Sequence, residues 1–462
     1  MSEKKEELQQ SEQSSKSSQP KTEKSKGSKK SFNPIKSLKA SGFFKLLKER
    51  TARFNSGSKA AIPSEYPINA LARKLHPAFQ FVKISKVEEH GPDCKTFTLS
   101  PDASRGTTEL AYFASGQYVT VFITINGLKF ARPYSLSSSP REAIGLSGFY
   151  QITVKSAKDG LVSNYILENW AVGAQLTISA PEGHFDYVSL RDAPTVIGIA
   201  GGSGITPFLS YAKSIVNGDE DFNLILLYGN RNKNSILFKD EFDRLQKQSP
   251  KIKVIHVLSD ENALCSENTE SGEGGDNQAH PLGSEITENK ENCENKEIYE
   301  KGFITASLIK KYAPATPYSI FLCGPQAMYN FADKEIAPLG LEKKYIRHEM
   351  FGEIHSGKAQ EGYPGRESAE VTITVTICDQ VKTVKGNADD TILQILEKNG
   401  ITVPNRCRSG ECGWCHSLVK SGKVWVPAKM DFRRKADEKF NFIHPCCTFA
   451  LSDLELDVPP AK

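Results

Sequence analysis

The sequence predicts a multidomain chain: an antiparallel β-barrel, then an α/β unit on a parallel sheet, then a small α+β unit. Three observations carry this. From Phe79 to Leu190 short runs alternate polar and apolar residues between turn signals, from Thr195 buried-strand runs alternate with helical periods, and after residue 369 a short strand–helix pattern ends in a cysteine-rich loop. At 462 residues the chain is too long for one ordinary core.

The first 31 residues are Ser, Lys, Glu and Gln without apolar period, and cannot bury enough surface to offset the entropy of ordering. Residues 32–54 add Ile35, Leu38, Phe43, Phe44, Leu46 and Leu47 among basic residues, which predicts a short amphipathic helix. This stretch, within a basic tail over 1–70, is a candidate for peripheral contact with a membrane or a partner. A linker or a frayed helix packing on the body is the plainer alternative.

The barrel is expected over 76–192. Its strand runs are QFVKISKV, CKTFTLSP, QYVTVFITI, FYQITVKS and QLTISAP, with one helix, VSNYILENW (162–170), before the last. The parallel-sheet unit is expected over 193–352, with TVIGIAG, NLILLYG, KIKVIHVLS and YSIFLCG as its buried strands. Residues 261–298 interrupt it with Glu, Asn, Gly and Ser, a composition that suits an exposed insertion. A linker, 353–368, precedes the last unit, 369–462.

Charge follows these divisions. The net +4 sums a basic tail (13 Lys and 2 Arg against 6 Glu in residues 1–60) and an acidic insertion (9 Glu and 1 Asp against 2 Lys in residues 261–298) with a near-neutral remainder. A uniformly basic nucleic-acid-binding body is thereby excluded. No run of 18 or more apolar residues is present, and the N-terminal residues lack the apolar core of a secretory signal. A cytoplasmic location is expected.

Cys407, Cys412 and Cys415 stand in C-x4-C-x2-C spacing, followed by Cys446 and Cys447. This is the plant-type [2Fe–2S] arrangement, in which one loop supplies three thiolates and a distant cysteine the fourth. A zinc ribbon wants two C-x2-C pairs, a thioredoxin-like motif has no use for Cys407, and a Rieske centre needs two histidines where only His416 adjoins. Counting back from the final strand favours Cys446 over Cys447. Gly410 and Gly413 allow the loop to bend and aim amides at sulfur.

Arg132-Pro133-Tyr134-Ser135 ends a barrel strand and offers a cation, an aromatic face and a hydroxyl, the three groups that a flavin requires. Lys155 and Gly160-Leu161-Val162-Ser163 open the interrupting helix, whose free amides suit a pyrophosphate. Gly201-Gly202-Ser203-Gly204-Ile205-Thr206-Pro207 then joins a strand to a helix, with Thr206 as the expected cap and Pro207 suited to the first turn. It is neither a G-x-G-x-x-G fingerprint nor a P-loop. Arg231, after the second strand, is placed to meet a 2′-phosphate, to bond the ribose or to face solvent.

These motifs, in this order over about residues 70–457, resemble the ferredoxin–NAD(P)+ reductase superfamily, in the flavin reductase group with a C-terminal ferredoxin domain. Oxygenase reductase components and the reductase of hybrid-cluster protein belong to that group. The resemblance implies a flavin-binding barrel, an NAD(P)-binding domain and a β-grasp ferredoxin domain. It implies FAD rather than FMN, and Gly183-His184-Phe185 supports that choice. It also implies NADH slightly over NADPH, and electron passage from FAD to the cluster and on to an external acceptor, protein or small molecule. Cys323, in Cys323-Gly324-Pro325, is implied to approach the nicotinamide, Ser135 to lie near flavin N5, and Glu349 and Phe351 to close over the flavin. Two departures stand out: bulky Trp414 in the cluster loop, and a ferredoxin segment with 13 basic and 12 acidic residues where free ferredoxins are acidic. A relay subunit working in either direction and a cluster-based redox sensor are the alternative readings.

Overall fold

The computed structural model describes residues 34–57, 65–158, 160–260, 298–350, 354, 356–365 and 369–460. The expected disordered tail (1–31), most of the acidic insertion and Phe351 lie outside the described residues. The chain divides into two compact units, Met1–Tyr66 and Pro67–Lys462.

Among the described residues, the first unit contains one helix, α1 (Pro34–Ser56). The helix forms as expected, but its apolar residues are not gathered on one face. Phe43 and Phe44 are neighbours in sequence, as are Leu46 and Leu47, so each pair is split by about 100° of helical turn. Phe43, Phe44, Leu46 and Phe54 are all well exposed.

The second unit opens with α2 (Pro67–Leu75) and then the barrel: β1 (Gln80–Glu89), β2 (Cys94–Pro101), β3 (Tyr118–Ile125), β4 (Leu128–Ser135), β5 (Tyr150–Lys155), α3 (Leu161–Asn169) and β6 (Gln175–Ile178). The sheet order is β4-β3-β6-β1-β2-β5, every pair antiparallel. A bridge between Leu136 and Ile152 joins the two edges, so the sheet curls back on itself. Val82, Ile84, Val119, Val121 and Ile152 fill the interior, and Ile166 of α3 closes it.

A second sheet follows from β7 (Thr195–Gly201), α4 (Thr206–Asn217), β8 (Asn223–Asn230), α5 (Lys239–Gln248), β9 (Ile252–Leu258), β10 (Ile298–Lys301), α6 (Ala306–Tyr312), β11 (Ser319–Cys323), α7 (Gln326–Ile336) and β12 (Ile346–Glu349). All its pairs are parallel, in the order β10-β9-β8-β7-β11-β12. Every residue of β7 and β11 is buried, as a strand covered on both faces requires. The chain leaves β7 toward β8 on one side, while β11 lies on the other. That reversal opens a crevice at the carboxyl ends of β7 and β11.

The last part comprises β13 (Glu370–Ile377), β14 (Gln380–Asn387), α8 (Ile392–Lys398), β15 (Ser417–Ser421), β16 (Val424–Trp425), α9 (Lys435–Lys439), β17 (Phe442–Ile443), β18 (Phe449–Ala450) and β19 (Leu454–Asp457). Its mixed sheet runs β14-β13-β19-β15-β17, with β13 and β19 parallel. Val371, Ile373 and Val375 alternate inward from β13, and the α8 residues Ile392, Ile395 and Leu396 pack in the same core. A reciprocal cap starts α8: the Gln394 amide donates to the Thr391 hydroxyl, and the Thr391 amide to the Gln394 side chain.

Buried polar groups join the barrel to the parallel-sheet part. Lys213 of α4, one-tenth exposed, lies 3.6 Å from Glu142 beside the barrel and 3.2 Å from Glu241 of α5. Ser115 and Ser214 hydroxyls meet at 2.7 Å. Arg347 of β12 donates to both oxygens of Asp192, at 2.7 and 2.9 Å, and to the His184 carbonyl at 3.0 Å. The Asp192 side chain is fully buried, so Asp192→Ala would leave a guanidinium with no carboxylate. The expected cost is about 3–5 kcal/mol, read from the urea midpoint.

Candidate functional site: a dinucleotide cleft beside a thiol cluster

The crevice widens into a cleft of about 770 Å³. Lys155 from the end of β5, Gly201 and Gly202 from β7, Arg231 after β8 and Pro325 after β11 all line it. Five sequence-predicted residues from four segments are thus brought to one cavity. Phe303 and Phe331 form an apolar wall, their ring centroids 5.7 Å apart. Lys155 lies 3.6 Å from Asp93, a residue that sequence reasoning did not single out.

The glycine loop and the Cys323–Pro325 turn fit against each other by having no side chain at Gly204. A Cβ there would stand 2.2 Å from the Cys323 carbonyl oxygen and 2.7 Å from the Gly324 Cα, both main-chain atoms. Thr206 begins α4 but does not cap it. Its hydroxyl donates to the Ser203 carbonyl at 3.1 Å, because the preceding residues already turn as a 3-10 helix and Pro207 removes an amide from the first turn. Ile205 is buried beneath the loop.

On the barrel, Arg132 and Tyr134 share one face of β4. Burial pushes the Tyr134 phenol up, against the pull of Arg132. Pro133 and Ser135 are buried, Ser135 opposite Tyr118 on β3. α3 starts at Leu161, and Gly160 precedes it without a side-chain cap. The Ser163 hydroxyl turns back to the Gly160 carbonyl, and Val162 is buried. The first amides of α3 therefore meet no capping side chain, which leaves them suited to an anion.

Cys323 ends β11, buried, in register with Ala200 of β7 and Glu349 of β12. Burial pushes the Cys323 thiol well above its ordinary range. Glu349 is also buried; burial first, then the negative charges of Glu411 and Cys407, raise its carboxyl well above the usual range. The Tyr329 hydroxyl links the two strand ends, accepting from the Gly324 amide at 3.0 Å and donating to the Glu349 carbonyl. Tyr329 carried no signal in the sequence beyond its place on a helix.

Cys407, Cys412, Cys415 and Cys446 come together. The Cys415 and Cys446 sulfurs are 3.5 Å apart, and Cys407 adjoins both Cys412 and Cys446. Two thiolates on one tetrahedral metal at ~2.3 Å stand about 3.8 Å apart, so the pair fits a shared iron. The neighbouring thiols and the amides of Ser409 and Cys412 donate to Cys407 and hold its thiol well below the ordinary range. The Cys447 sulfur instead donates to the carbonyls of His444 and Met430. Gly410 has φ +89°, and a Cβ there would stand 2.7 Å from the Cys447 sulfur. That close approach explains the glycine.

Comparison with known proteins gives these cavities their names. The family model described as an oxidoreductase FAD-binding domain matches residues 82–187. The oxidoreductase NAD-binding domain model matches 199–274, and the 2Fe-2S iron-sulfur cluster binding domain model matches 375–451. The chain carries FAD-binding, NAD-binding and [2Fe–2S] cluster-binding domains in that order, the arrangement of the flavin reductases with a C-terminal ferredoxin domain.

This reductase is an oxidoreductase that passes electrons from NAD(P)H through FAD and a [2Fe–2S] cluster to an external acceptor. It is 24% identical over 386 residues to the glycine betaine monooxygenase reductase subunit of Chromohalobacter salexigens, covering 81% of this chain and 94% of that one. It is 28% identical over 316 residues to the 3-ketosteroid-9-alpha-monooxygenase ferredoxin reductase component of Mycobacterium tuberculosis, covering 68% of this chain and 76% of that one. Among solved structures, phthalate dioxygenase reductase shares the fold, with a TM-score of 0.54 and 23% identity over 83% of this chain and 98% of that one.

Proposed function

We propose that this reductase serves a partner oxygenase, as the components named above do for theirs. The observation that carries the reading is the single compact unit in which the dinucleotide cleft, the Arg132–Ser135 strand and the thiol cluster adjoin, with Glu349 between Cys323 and the cluster loop. When bound, FAD takes two electrons as hydride and gives them up singly to a one-electron cluster.

The chain's residues divide the remaining work. Gly201, Gly202, Ser203, Gly204, Ile205, Thr206 and Pro207 shape the loop beneath the dinucleotide, with Gly324 and Pro325 opposite. Arg132 and the α3 amides at Val162 and Ser163, behind Gly160, would meet the flavin phosphates, with Lys155 between them and the dinucleotide cleft that it lines. Tyr134 would pack against the flavin, and Ser135 would offer it a hydroxyl. Cys323 and Glu349 would border the hydride path. Cys407, Cys412, Cys415 and Cys446 hold the irons.

FAD is proposed over FMN, and NADH over NADPH, on the resemblance; Arg231, which lines the cleft, would then bond the ribose. Chromatography of the released flavin should show FAD, and stopped-flow flavin bleaching should be faster with NADH than with NADPH at equal concentration. Equal or faster bleaching by NADPH refutes the nicotinamide choice. Among the described residues no helix is long and apolar enough to cross a membrane. A cytoplasmic location is proposed, with the basic α1 segment as the part available to a lipid surface or a partner. The oxygenase reading is tested by adding the reductase and NADH to candidate oxygenases encoded nearby. Product formed only when both are present supports it, and stable copurification with a dehydrogenase that reduces the cluster would replace it with a relay.

A further inference from the structure

The residues on either side of Cys407 are both arginines, and each is held by a carboxylate. Arg406, with 7% of its side chain exposed, pairs with Glu182 from the loop after β6, its guanidinium 3.8 Å above the Trp414 ring. Arg408 is fully buried in a left-handed conformation (φ +60°) and makes two parallel hydrogen bonds to Glu397 of α8, at 2.7 and 2.9 Å, and one to Asn405 at 3.0 Å. Glu397 also faces Arg132 of β4 at 4.0 Å. Glu182 is fixed on the barrel, exchanging main-chain hydrogen bonds with Tyr118, and Tyr118 is the register partner of Ser135.

Glu397 therefore meets the Arg132 end of the Arg132–Ser135 segment, while Glu182 holds the loop from one strand further, across Tyr118 from Ser135. Burying two arginines and two carboxylates is a poor way to gain stability, because desolvation offsets most of the attraction. What such pairs supply is register: a planar guanidinium in a two-point bond fixes orientation as an apolar contact does not.

We propose that Glu182 and Glu397 are positioning residues that seat the cluster loop on the flavin-bearing strand, so that electrons reach the cluster at a fixed separation rather than after a docking encounter. The idea rests on the assignment of Cys407 to the cluster and of Arg132–Ser135 to the flavin. Each NAD(P)H yields NAD(P)+, one proton released to solvent and two electrons, and the two electrons pass singly through the cluster to the acceptor. Glu182 and Glu397 enter none of these bonds. They set the distance, on which the one-electron rate depends steeply.

The test uses the full-length protein with FAD and cluster bound, at pH 8. That pH lies above the value of about 7 to which burial raises the Glu182 carboxyl against the pull of Arg406. Stopped-flow traces follow flavin and cluster bands separately at low and high salt, and amide exchange is measured across residues 403–412. In the unaltered protein, cluster reduction should track flavin reduction independently of salt. Glu182→Gln should slow cluster reduction by tenfold or more, make it salt-dependent and speed exchange across the loop, with flavin reduction by NADH within twofold. Glu397→Gln should do the same, and Glu397→Asp should recover part of the rate. If Glu397→Gln fails to fold, Glu182→Gln alone decides. Cluster reduction within twofold of the unaltered protein, with unchanged exchange, would overturn the proposal. Absence of flavin or cluster bands from the unaltered protein would instead refute the cofactor assignment on which it rests.

Discussion

Cys412→Ser should remove the visible absorbance of the cluster and leave the protein yellow. Cys412 is half-buried in the loop, and its amide donates to the Cys407 sulfur at 3.4 Å, so the substitution removes a sulfur and keeps the main-chain path. A serine hydroxyl, with its far higher pKa, is a poor replacement for a thiolate on iron. Reduction of a protein acceptor through the cluster should fall by ~100-fold or more, while reduction of ferricyanide directly from the flavin stays within about twofold. The two rates report on separate parts of the chain, because the dinucleotide cleft is lined by none of the cluster-loop residues. Surviving cluster absorbance would show that Cys412 holds no iron. Cys447→Ser should keep the absorbance, since its sulfur faces the His444 and Met430 carbonyls.

Gly204→Ala should cripple hydride transfer at the other end of the route. The new Cβ would meet the Cys323 carbonyl oxygen at 2.2 Å and its carbon at 2.5 Å. Main-chain atoms at a strand end cannot swing aside as a side chain can, so the β7 loop and the β11 turn must part. A displacement of about 1 Å costs ~100-fold in a reaction that depends on a near-attack geometry, and overpacking of this kind costs ~1–3 kcal/mol of stability. Stopped-flow flavin bleaching by NADH should fall by that factor, whereas chemical reduction by dithionite, which needs no dinucleotide cleft, should not change. NADH-driven bleaching at the unaltered rate would mean that the loop and the turn do not need their contact.

What could be read in the chain beforehand divides along physical lines. The thiol cluster and the β4 strand that ends in Arg132–Ser135 were legible because their residues are close in sequence, and short spacings constrain geometry. The β7 and β11 strands were legible because burial on both faces leaves an unbroken apolar run. β14 was not: it is an edge strand whose residues are almost all exposed, so it carries no apolar period to detect. β10 is four residues long at the border of the acidic insertion, and composition masked it. Thr206 was expected to cap α4 from local preference, and a preceding 3-10 turn took its hydroxyl instead. α1 was expected to be amphipathic from the presence of apolar and basic residues, when only their angular spacing decides. Glu182 and Glu397 were invisible for a different reason. Glu182 is 224 positions from the arginine that it holds, and nothing in a sequence marks a carboxylate as the partner of so distant a cation. Tyr329 is similar, since its hydroxyl matters only after β11 and β12 are neighbours.

The buried Lys213 ammonium has a consequence for how the molecule comes apart. It sits among Glu142, Glu241 and Gln151, groups drawn from both the barrel and the parallel sheet. Separating those layers would part the Lys213 ammonium from Glu142 and Gln151 and leave it Glu241 alone, on a surface also stitched by Asp192–Arg347. Neither layer can melt first without bearing that cost, so the two should unfold as one cooperative block in a calorimeter. The nicotinamide is then expected to enter by movement of side chains that line the cleft, such as Phe303 and Phe331, rather than by a swing of one layer over the other.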